Sequence, residues 1–385
     1  MTAIVLMNLP VSQSFQVFAK PAGAVCNLAC SYCYYRDKVL DGTSPLKMSG
    51  RVLEAYIRQH IETTPDPVVF FSWHGGEPLM AGLDYFKEIV QLQQANLARG
   101  KTILNGIQTN GTLIDPDWCE FFREQGFVVG ISLDGPCPLH DAFRKTAGDK
   151  PSFDQVLKGY RLLQEYGIST EILCVVHALN VRHPETVYDF FRSLNVKYIT
   201  FLPLVKHCPE VPGLVTPDSL PPKAFGDFLI KIFELWKSED IGRIKVQIIE
   251  ETLRVAFGQE HSLCVFRPEC GRTPVIEHTG DFFACDHYVD STHRWGNIME
   301  THLAVLLESD AQSSFGKAKR DTLPVHCLNC SVLEMCNGGC PKDRFAYSPS
   351  GEPGVNYLCE GYYQFFTHLL PFVQQVARAF RERNS

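Results

Sequence analysis

"CNLACSYCYY", residues 26–35, sets three cysteines within eight positions, separated by three and then two residues. A closed tetrahedral metal site, or a fully ligated iron–sulfur cube, takes four protein ligands. Cys26, Cys30 and Cys33 supply three, which leaves one metal coordination position for a group other than the protein. An open position is what separates catalytic from structural metal chemistry. Spacing alone also allows a zinc site completed by a distant histidine.

Just upstream, "SFQVFAK" (14–20) is a short apolar run rich in aromatic and β-branched residues. Similar runs recur as "PVVFFSWH" (67–74), "KTILNGIQTN" (101–110), "FVVGISLD" (127–134), "TEILCVVHAL" (170–179) and "KYITFLPLV" (197–205). Between them lie helix-like segments near 49–63, 82–99, 116–125, 153–166 and 184–194, with Ser49, Asp115, Ser152 and His183 placed to start four of them. Strand alternating with helix predicts βαβ units and an α/β fold with a parallel sheet, either an incomplete (β/α) barrel or an open doubly wound sheet. In both, functional loops sit at the carboxyl ends of strands. The three-cysteine stretch directly follows the first strand.

A chain of 385 residues exceeds one ordinary core, and we expect two domains, 14–235 and 236–385. The formal charge of −7, with pI near 6.0, and the lack of a basic patch argue against nucleic acid as a partner. "MTAIVLMNLP" (1–10) has no basic region and no cleavage site, so neither a signal peptide nor an anchor is expected, and no apolar run is long enough to span a membrane. The expected location is therefore the cytoplasm, where fifteen cysteines read as metal ligands or core residues rather than disulfides. "CPEVPGLVTPDSLPP" (208–222) reads as a linker or long surface loop, followed by a helix near 223–237, and "YYQFFTHLLPFVQQVARAFRER" (362–383) as a closing amphipathic helix.

C-x3-C-x2-C with Tyr32 just before the third cysteine resembles the cluster-binding signature of the radical S-adenosylmethionine (radical SAM) enzymes. The resemblance implies a four-iron cluster whose open iron chelates the amino and carboxylate groups of S-adenosylmethionine, and cleavage of the sulfonium to a 5′-deoxyadenosyl radical. It extends to "GGEP" (75–78), "QTNGTLI" (108–114) and "GISLDGP" (130–136), which are similar to family segments at the ends of strands two, three and four. The first of these matches the segment that holds the methionine ammonium: its glycines permit close backbone approach, and Glu77 is suited to charge-assisted hydrogen bonds. A plain turn is the alternative for that segment. By the same resemblance Tyr35, Gly76, Ser132, Arg144 and Val205 contact the cofactor, Ser132 and Arg144 being suited to its hydroxyl and carboxylate groups and Val205 acting through its backbone. A surface arginine and a core valine are the plainer readings of the last two.

The carboxyl-terminal cysteines run Cys270-x9-Gly280-x4-Cys285, then Cys327-x2-Cys330-x5-Cys336-x3-Cys340, then Cys359 after eighteen residues. This spacing resembles the SPASM domain, an extension that carries auxiliary iron–sulfur clusters, and adding Cys264 gives eight ligands. The resemblance implies that Cys264, Cys270, Cys285 and Cys340 hold one cluster and Cys327, Cys330, Cys336 and Cys359 the other. Spacing does not fix that pairing, and two structural zinc sites are the alternative. Cys119, Cys137, Cys174 and Cys208 match no ligand pattern and are expected to be buried apolar residues.

From "FAKPAGAVCNLACSYCYY" to "CNGGCPKDR" the chain is similar to the anaerobic sulfatase-maturating enzymes, over about residues 15–375. That similarity implies a partial (β/α)6 radical SAM barrel with a carboxyl-terminal SPASM domain. It implies a reaction that oxidises a Cys or Ser side chain of an unfolded or nascent sulfatase to Cα-formylglycine. The implied cofactors are S-adenosylmethionine and three 4Fe-4S clusters, one binding S-adenosylmethionine and two auxiliary, and the implied partners include an electron donor such as a flavodoxin or ferredoxin. By the same resemblance Asp286, next to Cys285 in "FACDHY", is the general base, with His287 a second candidate. A dry pocket is expected to raise the Asp286 pKa into a useful range.

Two other readings remain open on sequence. One is another SPASM peptide maturase forming thioether or carbon–carbon crosslinks, although only 25 residues precede Cys26 and many of those enzymes carry an additional leader-binding domain there. The other is a non-enzymatic metal-binding scaffold, which leaves the open three-cysteine motif unexplained.

Overall fold

Each of the six apolar runs forms a strand in the computed structural model of the protein, which describes residues 11–36, 38, 47–208, 211 and 213–384. They are β1 (Phe18–Ala19), β2 (Val68–Trp73), β3 (Thr102–Thr109), β4 (Val128–Ser132), β5 (Thr170–Val176) and β6 (Tyr198–Pro203). Neighbours from β1 to β6 pair in parallel and in chain order. β1 and β6 stand apart in the strand order, so the six units make a partial barrel rather than a closed one. Val69, Phe71 and Trp73 of β2, and Ile172, Cys174 and Val176 of β5, are fully buried, as strands covered by crossover helices must be.

The helices between them are Gly50–Thr63, Leu83–Ala95, Pro116–Gln125, Phe153–Glu165 and Pro184–Ser193. Ser49 and Asp115 cap the first and third by accepting from the amides of Val52 and Trp118. Ser152 and His183 precede their helices without capping them. The Ser152 hydroxyl donates instead to the Arg144 carbonyl, at 2.7 Å.

The sheet continues beyond these units. β7 (Lys245–Val246) adds in parallel to β6, and on the far edge β8 (Val275–Ile276) pairs in parallel with β1, setting Phe18 opposite Val275 and Ala19 opposite Ile276. β9 (Asp281–Phe283) and β10 (Arg294–Asn297) complete an antiparallel meander, giving the order β10-β9-β8-β1-β2-β3-β4-β5-β6-β7. The carboxyl-terminal third is therefore hydrogen-bonded into the barrel sheet. Two-residue strands are too short for alternation to reveal them in sequence.

The helix Pro222–Glu239 follows the proline-rich segment, in which residues 209, 210 and 212 lie outside the described residues. The closing helix Cys359–Asn384 begins at an expected ligand and packs against it so tightly that a Cβ on Gly361 would lie 2.2 Å from the Pro222 carbonyl oxygen. Residues 1–10, where no signal or anchor was expected, also lie outside the described residues, and among those described no helix is long and apolar enough to cross a membrane. One expectation is corrected: Cys119 and Cys174 are buried, but Cys137 is exposed and Cys208 only half-buried. Cys137 opens the short surface helix Cys137–His140 and donates to Asp141 at 3.3 Å, while Cys208 lies in the proline-rich loop, so neither faces the core.

Candidate active site

Because β1 to β6 are parallel, the segments that follow them share one edge of the sheet: 20–36 after β1, 74–77 after β2, 110–112 after β3, 133–136 after β4 and 204–206 after β6. Cys26, Cys30 and Cys33 are half-buried there, and their thiols interact with one another. The Cys26 sulfur accepts from the Leu28 amide at 3.4 Å and from Asn110 Nδ2 at 3.7 Å. Burial pushes the Cys26 thiol up to about 11, so holding it as a thiolate requires a cationic partner.

The glycines after β2 lie against the segment that leads into Cys26. Gly76 donates to the Gly23 carbonyl and Glu77 to the Val25 carbonyl, both at 2.8 Å, and a Cβ on Gly76 would sit 2.3 Å from the Val25 oxygen. Glu77 is fully buried. Its carboxylate accepts from the Thr109 hydroxyl at 2.6 Å and from the amides of Asn110 at 2.7 Å and Leu79 at 3.0 Å. Those bonds oppose the burial that raises its pKa to about 7. Glu77 thus ties the end of β2 to the end of β3, and the glycine segment lies against residues 23–25.

Ser132 ends β4 and accepts from Gln108 at 3.1 Å. Two residues on, buried Asp134 accepts from Arg144 Nε at 2.8 Å and from the Tyr32 hydroxyl at 2.5 Å, and its other oxygen accepts from the Val175 amide at 2.9 Å. Burial works against ionisation of Asp134, but Arg144 outweighs it and holds the carboxyl below its usual range. Among the described residues the two terminal nitrogens of Arg144 keep no hydrogen-bond partner, which leaves a carboxylate-binding fork at this edge. Val205 is buried beyond β6.

Asp286 faces the cysteine loop from the opposite side. One of its oxygens lies 2.5 Å from Lys20 Nζ, and the other accepts from the Tyr34 hydroxyl. The expected rise in its pKa is corrected here. Burial does push it up, but the Lys20 ammonium and the Tyr34 hydroxyl stabilise the charge and hold the carboxyl well below the usual range. His287 is driven down to about 4 by burial and is neutral, so it pairs with no acid. Tyr35 packs with Val275, Phe283 and Val289, donates its hydroxyl to Glu277 and lies with its ring 4.5 Å from Lys20 Nζ. Sequence reasoning missed Lys20, Tyr34, Asp134 and Glu277. Only Lys20 carried a signal, as a lysine ending an apolar strand run.

The eight carboxyl-terminal cysteines gather in two groups. Cys285 interacts with Cys264 and Cys340, and Cys270 with Cys264. Cys336 interacts with Cys359, Cys327 and Cys330, and these four line one cavity with Gly338 and Asn356. Burial raises Cys340 and Cys336 to about 12 and Cys359 to about 11. Among the described residues no three His, Cys, Asp or Glu side chains close in on a single-ion position. Two all-thiol sets of four fit iron–sulfur cubes by their ligand chemistry, and the open trio beside the Gly76 backbone and the Arg144 fork fits a third cube carrying S-adenosylmethionine.

The radical SAM superfamily model matches residues 21–191, and that of the SPASM iron–sulfur cluster-binding domain matches residues 264–331. The serine-type anaerobic sulfatase-maturating enzyme of Bacteroides thetaiotaomicron is 41% identical, covering 94% of this chain and 91% of that one. The cysteine-type enzyme of Clostridium perfringens is 31% identical, covering 93% and 97%. A solved structure of anSMEcpe with bound AdoMet superposes with a TM-score of 0.86 at 31% identity, covering 94% of this chain and 99% of that one. anSMEcpe with bound AdoMet and the Cp18Cys peptide gives 0.87 at 30%, covering 96% and 100%. Streptococcus suis SuiB, at 16% identity and a TM-score of 0.63, shares the fold alone. With both cysteine architectures in place and similarity running the length of the chain, the protein belongs to the anaerobic sulfatase-maturating enzymes.

Proposed function

We propose that this protein oxidises one serine or cysteine side chain of an unfolded or nascent sulfatase to Cα-formylglycine. The observation that carries the reading is Asp286, fixed between Lys20 and Tyr34 beside an auxiliary ligand and across from the three-cysteine loop. The serine-type relative, at 41% identity, stands nearer than the cysteine-type one at 31%, so a serine peptide is the first substrate to try.

The side chain must lose a hydrogen atom from Cβ, a proton from its oxygen or sulfur, and one electron. S-adenosylmethionine and the cluster at Cys26, Cys30 and Cys33 supply, when bound, the radical that takes the hydrogen atom. Gly76 offers close backbone to the cofactor, Ser132 its hydroxyl, Arg144 its free fork, Val205 its backbone and Tyr35 a ring at the loop's end. Glu77 orients the glycine segment from behind. Asp286 receives the proton, and a target group entering between it and Lys20 displaces the cation that holds its pKa down, which makes the carboxylate a stronger base. For serine the product is the aldehyde directly; for cysteine the thioaldehyde takes up water and releases sulfide.

We assign the barrel chemistry to 14–235 and the auxiliary clusters to 236–385. We further place the reaction in the cytoplasm, with a flavodoxin or ferredoxin as electron donor. The test is anaerobic incubation of the reconstituted protein with S-adenosylmethionine, a strong reductant and a peptide bearing C/S-x-P-x-R. Mass spectrometry should find 5′-deoxyadenosine and a peptide aldehyde. Deoxyadenosine with unmodified peptide would refute the substrate assignment.

A further inference from the structure

Two cations stand among the auxiliary cysteines without a carboxylate partner. Lys319 is 1% exposed, and its ammonium donates to the carbonyls of Cys264 at 2.7 Å and Val265 at 2.9 Å. Cys264, Cys270 and Cys340 of the first set all lie within its electrostatic reach. Arg344, which ends "CNGGCPKDR", folds back over that segment. Its guanidinium donates to the carbonyls of Gly338 at 2.9 Å, Asn337 at 2.8 Å and Lys319 at 2.5 Å. Its charge reaches Cys327 and Cys336 of the second set as well as Cys270 and Cys340 of the first.

Gly338 makes this approach possible: its φ is +70°, and a Cβ there would lie 2.6 Å from the guanidinium. Among the described residues neither cation forms an ion pair with an aspartate or glutamate, and Asp343, next to Arg344, is taken by Lys342. Backbone carbonyls satisfy the N–H groups but bring no net charge. A buried cation left that way, as Lys319 is, is strongly unfavourable, and half-buried Arg344 bears a smaller part of the same cost. What remains to balance it is the negative charge of thiolate-ligated clusters, which grows when a cluster is reduced.

We propose that Lys319 and Arg344 set the reduction potentials of the auxiliary clusters, Lys319 acting on the first and Arg344 on both. This rests on the cluster assignment of the two cysteine sets. Each fixed positive charge favours the reduced form, which has gained one electron. The electron that the substrate side chain gives up, alongside its hydrogen atom and proton, thus finds a better acceptor nearby. Both are positioning and tuning residues, whose hydrogen bonds go to backbone carbonyls.

The test uses the full chain with Cys26, Cys30 and Cys33 replaced by alanine, so that only auxiliary clusters report, reconstituted anaerobically and followed by iron analysis and EPR-monitored redox titration. In Lys319→Gln the ratio of reduced to oxidised cluster at a fixed potential should fall at least tenfold for one cluster, about 59 mV for a one-electron couple. Arg344→Gln should shift both clusters, and Lys319→Arg and Arg344→Lys should stay near the parent. Neutral variants with full iron and parental potentials would overturn the proposal. Where the neutral variants lose iron, retention of iron in the two charge-preserving variants supports it, and loss there too assigns both residues to holding the loop and overturns it. A parent without auxiliary iron would instead overturn the cluster assignment beneath it.

Discussion

Lys20 Nζ lies 2.5 Å from Asp286 Oδ1, joining the end of the first barrel strand to the residue beside Cys285 of the first carboxyl-terminal thiol set. Both side chains are shielded, at 2% and 14% exposure, so the pair holds two otherwise costly charges together. Lys20→Met should lower stability by about 3–5 kcal/mol, since it strands a buried carboxylate. Adding Asp286→Asn should recover part of that loss, and thermal unfolding of the reconstituted single and double variants measures the coupling. Simple additivity would mean that the two charges do not act as a pair.

Asp286→Asn alone should keep all clusters and continue to form 5′-deoxyadenosine, while peptide aldehyde falls roughly a hundredfold or more, the usual loss for a general base. Undiminished aldehyde would move the proton to another acceptor.

Gly76→Ala places a methyl group 2.3 Å from the Val25 oxygen, so the segment leading into Cys26 must shift. We expect a cost of about 1–3 kcal/mol and a loss of S-adenosylmethionine binding by equilibrium dialysis, with auxiliary iron retained. Unchanged binding would place the cofactor away from the glycine segment.

Cys359 is both a member of the second thiol set and the first residue of the closing helix Cys359–Asn384. Cys359→Ala should lose about a third of the iron and leave that helix less protected against hydrogen exchange, because ligation and folding are linked. Full iron with native protection would remove Cys359 from the ligand set.

His60 stacks on Phe71 at 4.6 Å, and its Nδ1 has no partner. Burial drives its pKa from 6.5 down to about 3, so it stays neutral in the fold. The unfolded chain takes up a proton below 6.5 and the folded chain does not, so this residue's contribution is intact above 6.5 and erodes as pH falls. His60→Phe should therefore gain on the parent as pH drops from about 7.5 to about 5.5, by up to about 1.4 kcal/mol per pH unit at the acid end. Parallel melting-temperature curves for the two proteins would rule this out.

Much of this site could be read from the sequence because parallel βαβ units put the segments after successive strands on one edge. Cys26 was marked by its spacing after the first strand, and Gly76, Ser132 and Val205 by family resemblance; the structure sets all four on that edge. The rest depended on pairings between distant segments, which spacing does not encode. Lys20 meets Asp286, and Tyr35 meets Glu277, only because β8 pairs with β1. Glu77 looked free to bind a ligand, yet its oxygens are occupied by Thr109, Asn110 and Leu79. Asp286 was expected to titrate high because the base role implied by resemblance suggests a dry pocket, and the Lys20 ammonium beside it is not visible in the local sequence.

The pairing of β8 with β1 also governs the order in which the molecule can be built. Phe18 and Ala19 leave the ribosome long before Val275 and Ile276 exist, so the strand that presents the three-cysteine loop has one bare edge through most of translation. A bare edge invites pairing with other chains. The last third of the chain is therefore what covers the strand edge beside the three-cysteine loop.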